Sequence, residues 1–149
     1  MRWCFLLFAL PAFPQWQSLE FRFQGVGCAS CIESLPARLE RLRGVESAEV
    51  DAKSGTLKLK LAPQNRVRLE IVRDFIEQDG TKAVSAIVSG KGSLERKEGL
   101  LFFYLEGQST SYRVEGLATG AQNHTEGTIS DLRPAKGPIV ILVKRRSTQ

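Results

Sequence analysis

Two thiols, Cys28 and Cys31, stand two residues apart in the run Gly25-Val26-Gly27-Cys28-Ala29-Ser30-Cys31. Such spacing is reactive or metal-binding, and the surroundings decide which. Thiols three positions apart can converge on one ion from a loop and the first turn of a helix. That gives the near-linear, two-sulfur coordination suited to soft ions such as Cu(I) or Hg(II). A helix N-terminus carries about half a positive charge and so favours thiolate, and binding then releases protons. In an oxidising compartment the same pair could instead exchange with other thiols or close a structural disulfide. Cys4 is the only other cysteine, too few for the disulfide framework that staples small secreted domains, so a core must stabilise the fold.

The elements around the pair follow from patterning. Leu19, Phe21 and Phe23 alternate with Glu20, Arg22 and Gln24, the period of a half-buried strand, which Gly25-Val26-Gly27 breaks. Ile32, Leu35, Leu39 and Leu42 fall at helical spacing, with Gly44 just past the helix end. Pro36 lacks the N–H that would bond the Ile32 carbonyl, so the helix either kinks there or starts near Ser34, with Pro36 expected on its outward face. Residues 45–50 and 56–61 read as a hairpin, 67–78 as a second helix ended by Asp79-Gly80, and 83–88 as a fourth strand. Strand, helix, strand, strand, helix, strand is the split βαβ order of ferredoxin-like folds, so the expected class is α+β.

Ser89-Gly90-Lys91-Gly92-Ser93 reads as the start of a linker over 91–98. Beyond it, 100–105 (LLFFYL), 111–114, 127–130 and 139–143 (IVILV) read as strands of a small all-β domain over 99–146. Two of these runs are continuously apolar, which predicts burial on both faces, as in an OB-like or SH3-like barrel or a sheet docked on the first domain. On this reading the two halves fold separately.

The cysteine loop, at the junction of a first strand and a first helix, resembles the metal-binding loop of heavy-metal-associated domains. That family includes copper chaperones, N-terminal modules of metal-transporting ATPases and exported mercury-binding proteins. The resemblance continues through Leu42-Arg43-Gly44-Val45 and Asp79-Gly80 and covers about residues 19–90. It implies a ferredoxin-like fold and metal binding by Cys28 and Cys31. The implied ion is most simply Cu(I), with Hg(II) or Zn(II) as alternatives, and the implied partner a protein offering a dithiol acceptor. Where the family commonly has Met, two residues before the first cysteine, this chain has Val26; where it often has Tyr or Phe, it has Thr81. Val26 is expected to plug the space beneath the loop.

Other readings compete. Thioredoxin-type enzymes also place two such cysteines between strand and helix, but Gly27 and the hairpin fit them poorly. RNA-recognition modules share the split βαβ order, yet 56–61 (TLKLKL) offers no stacking aromatic. The net charge of +5 is spread evenly, each half contributing +2, and only Lys144-Arg145-Arg146 is a basic run, so no nucleic-acid partner is expected. Lys82 could sit near the loop and offset the charge of a metal dithiolate. His124, the only histidine, reads as a loop residue and a remote candidate for a third ligand. No Ser-His-Asp set, phosphate loop or paired-carboxylate motif is visible, so no catalysis is expected.

Met1-Arg2-Trp3 followed by the apolar run Cys4 to Leu10, with Ala9 or Ala12 before a cut, resembles a secretory signal. Residues 1–18 are therefore read as a signal peptide and leader and the mature chain as periplasmic or secreted. Its apolar run is far short of the roughly 18 residues that cross a bilayer.

Overall fold

A computed structural model of the chain describes residues 15–105, 108, 110–116 and 124–143. The first strand, β1 (Gln15–Gln24), is followed by α1 (Ala29–Glu40), β2 (Val45–Asp51), β3 (Thr56–Leu61), α2 (Leu69–Glu77) and β4 (Lys82–Lys91). β1 lies between β3 and β4, and β2 flanks β3, all antiparallel. This is the expected ferredoxin-like arrangement. Leu19, Phe21 and Phe23 of β1 are buried with Leu57 and Leu59 of β3, Ile32, Leu35 and Leu39 of α1, and Val72 and Ile76 of α2. The alternating strand pattern and the helical spacing thus converge on one core.

The second half departs from expectation. β4 pairs with β8 (His124–Ile129), and the sheet runs on through β9 (Ile139–Leu142), β7 (Ser111–Glu115), β6 (Leu100–Tyr104) and β5 (Ser93–Lys97). Among the described residues, nine strands form one sheet with one parallel pair, β7 with β9. The expected linker over 91–98 is instead the end of β4 and the edge strand β5. Its polar sequence misled because only Leu94 of β5 packs on the core. The expected barrel is an extension of the open sheet. Nor are the apolar runs buried on both faces: Leu100 and Leu142 are exposed, while Phe103, Ile139 and Ile141 are buried.

Among the described residues one hydrophobic cluster spans both halves, in place of one core for each. β1 begins at Gln15, inside the stretch read as leader, and its Trp16 is fully buried. The indole packs on Phe103 of β6 and Tyr112 of β7, with ring centroids 5.6 and 5.3 Å away. A Cβ on Gly90 would meet the indole at 2.7 Å, so β4 can pass beside Trp16 only with glycine there.

Polar contacts reinforce the join. Tyr112 donates its hydroxyl to Glu70 of α2 (3.3 Å), Arg73 of α2 donates to the Leu132 carbonyl (2.9 Å), and Arg133 reaches Asp74 and Glu77. Asn65, buried before α2, donates to the carbonyls of Trp16 (2.7 Å) and Ala62 (2.8 Å) and accepts from the Val67 N–H (3.1 Å). That one side chain hydrogen-bonds three backbone groups. No described helix is long and apolar enough to cross a membrane. Residues 1–14 lie outside the described residues, and with them most of the expected leader.

Candidate metal centre

The cysteine loop leaves β1 at Gln24, turns at Gly25 (φ +66°) and enters α1 at Ala29. Cys28 is the helix N-cap: its backbone is extended (φ −149°) and its Sγ accepts the Cys31 N–H at 3.2 Å. A sulfur thus takes the place usually filled by a Ser, Thr or Asp oxygen. The first turn carries no acidic residue, so the positive end of the helix is not offset from within α1. The helix starts at the cysteines, not near Ser34, and continues through Pro36. Leu35 and Leu39 are fully buried, and Pro36 is half-buried.

Below the carbonyl that Pro36 leaves unbonded, the first turn is held by side chains. Ser34 Oγ donates to the Cys31 carbonyl at 2.9 Å, and Arg38 donates to the same carbonyl (3.3 Å) and to Gln78 Oε1 just past α2 (2.9 Å). Arg38 therefore fastens the first helix to the C-terminal end of the second.

Cys28 and Cys31 are joined by a disulfide, with Cα atoms 5.2 Å apart. That separation is within the ordinary range for a bridge, so one backbone conformation brings both sulfurs to a single point. Asp79, in the turn after α2, completes the cluster: one of its carboxylate oxygens and the two sulfurs lie within 4.8 Å of one another, all three residues half-buried. The two turns touch. A Cβ on Gly27 would stand 2.5 Å from the Asp79 carbonyl oxygen, so glycine is what lets them approach.

In the sequence Asp79 stands out only as part of a helix stop and of the family resemblance, with no sign of a ligand. Its place beside the sulfurs is a tertiary contact that no spacing encodes. Asp79 Oδ1 accepts the Thr81 N–H at 3.1 Å, while Oδ2 is buried without a partner. Thr81 itself is buried.

Other candidates are placed differently from expectation. Val26 is 42% exposed and so does not plug the space beneath the loop. Lys82 is exposed at the start of β4, paired with Gln24 and therefore at the loop end of the sheet. His124 opens β8 rather than lying in a loop, and pairs with Lys91, which also pairs with Gln15. That is the end of β1 remote from the cysteines. Its Nε2 is 3.1 Å from Ser89 Oγ and 3.0 Å from Gln17 Oε1, and it takes no part in the cysteine cluster.

Residues 20–78 match the family model of the heavy-metal-associated domain. The match takes in the second half of β1, the loop, both helices, β2 and β3. Among solved structures, the chain is similar to a yeast copper transporter domain at 18% identity, covering 45% of this chain and 90% of that one (TM-score 0.39). It is similar to the CopZ metallochaperone at 24%, covering 45% and 98% (TM-score 0.39). A copper-binding domain of a P-type ATPase is 25% identical, with 48% and 92% covered (TM-score 0.39). No curated protein sequence matches the chain.

Proposed function

We propose that this chain is a carrier of a soft metal ion, Cu(I) in the first place, bound by Cys28 and Cys31 in their reduced state. The observation that carries the reading is the convergence of both sulfurs at the N-terminus of α1 within the segment matched by the heavy-metal-associated family. Sulfur donors select soft ions, and the helix end offsets thiolate charge. Reduction of the bridge by an external dithiol, itself oxidised to a disulfide, yields two thiols, and the ion then displaces their protons.

Two sulfurs leave the ion's remaining positions open, which suits direct transfer to a partner's dithiol through a shared three-sulfur intermediate. Export is part of the proposal, on the strength of the signal-like N-terminus; a cut after Ala12 would leave β1 whole. Mixing Cu(I)-loaded protein with a dithiol acceptor of similar affinity is expected to equilibrate the metal faster than Cu(I) dissociates into a chelator. Equilibration no faster than dissociation contradicts hand-over.

The disulfide itself favours a second reading, thiol-disulfide exchange or a purely structural bridge. Free-thiol counts separate the two: in a carrier isolated under reduction, two of the titratable thiols, those of Cys28 and Cys31, disappear on adding one equivalent of Cu(I).

A further inference from the structure

Asp79 is not needed for linear two-sulfur coordination, yet it lies among the sulfurs with half of its carboxylate unsatisfied. Oδ1 is held by the Thr81 N–H, and Oδ2 is buried and unpartnered. The contact between the Asp79 carbonyl and Gly27 fixes the two turns side by side, so the carboxylate is positioned by backbone on both sides. A buried, unpaired carboxylate oxygen is costly, and a neighbouring cation is what relieves it.

Resting on the carrier reading, we propose that Asp79 is a third donor, and that with Cys28 and Cys31 it forms a two-sulfur, one-oxygen site for a divalent ion of borderline softness, Zn(II) being the probe. With the bridge closed, a carboxylate oxygen of Asp79 lies within 4.8 Å of both sulfurs, close enough for all three to reach one ion once the bridge is reduced. Three protein donors with a fourth position open is a recognised zinc arrangement, and Zn(II) accepts thiolate and carboxylate together.

Charge points the same way. Two thiolates and a carboxylate bring three negative charges. Cu(I) leaves two of them uncompensated and Zn(II) leaves one, so Asp79 works against the monovalent ion and for the divalent one. Cu(I), satisfied by two sulfurs, has no use for the oxygen.

The test measures affinities of the reduced, full-length protein for Zn(II) and for Cu(I) by chelator competition, in the parent and in Asp79→Asn. Asparagine keeps an oxygen for the Thr81 N–H while removing the charge. Loss of a positioned carboxylate is expected to weaken Zn(II) about 10- to 100-fold and to leave Cu(I) unchanged or tighter. Retained Cu(I) binding in Asp79→Asn also certifies that the variant is folded. Zn(II) affinity within about threefold of the parent, below the effect of even an outer-sphere carboxylate, overturns the proposal. So does parallel loss of both ions, which would make Asp79 a support of the loop. Failure of the reduced parent to bind Cu(I) would instead strike the carrier reading on which this one rests. Absorption of the Co(II)-substituted protein gives a second readout: sulfur-to-metal charge transfer persists in Asp79→Asn while the ligand-field bands shift.

Discussion

Replacing Cys28 and Cys31 together with Ser is expected to abolish stoichiometric Cu(I) binding by the reduced protein. Serine preserves the size and position of the side chain at the start of α1 but offers a hard, protonated oxygen in place of a soft thiolate. Either single replacement leaves one sulfur, which cannot make the two-coordinate site. Removing a direct ligand should cost no less than losing an outer-sphere partner, hence at least about 10-fold in affinity for either single replacement. The fold should survive. The bridge spans a sequence separation of only 3, and short closed loops contribute least to stability. Ser at position 28 is moreover a favoured N-cap. Thermal unfolding of the double variant should therefore resemble that of the reduced parent, and chelator competition should read the loss of binding. A double variant that still holds Cu(I) as tightly as the parent would place the site elsewhere.

Trp16→Ala is expected to have the largest effect on stability. The indole is fully buried at the point where β1 and β4 meet the second half, against Phe103 and Tyr112. Truncating a buried Trp costs about 3–5 kcal/mol, from lost transfer energy and the cavity left behind. A domain of this kind has only about 5–15 kcal/mol to lose. The damage is shared, because Trp16 contributes its carbonyl to Asn65 and its ring to β6 and β7. Denaturant unfolding of Trp16→Ala should shift as one cooperative transition spanning both halves. A change of less than about 1 kcal/mol, the scale of a surface substitution, would mean the halves do not share a core.

How far the sequence reveals this molecule differs between its parts, for physical reasons. The first half is readable because Leu19, Phe21 and Phe23 alternate with polar residues, and because Ile32, Leu35 and Leu39 repeat at the helical period. Both patterns report one-sided burial directly. Pro36 suggested a late helix start, but the side chains of Ser34 and Arg38 hold the first turn through the Cys31 carbonyl.

The second half is hardest to read at its joints. Ser93 to Lys97 carries no alternation because an edge strand with one inward residue has almost none to show. Gln15 to Ser18 merges with an apolar, proline-containing run, and the partner that makes Trp16 a core residue lies some ninety positions away. The site was half legible. Cysteine spacing marks the sulfurs because a helical turn brings them together, whereas Asp79 joins them through contact between two turns far apart in the chain.

The central claim is that the reduced pair, and not the bridged one, holds one soft metal ion. The most direct measurement is the copper content of the parent protein after Cu(I) loading and desalting, in a reduced sample and in one whose Cys28–Cys31 bridge has first been formed. One Cu(I) per chain in the reduced sample and none in the bridged sample is the predicted result. Equal copper in both, or none in either, would contradict the account.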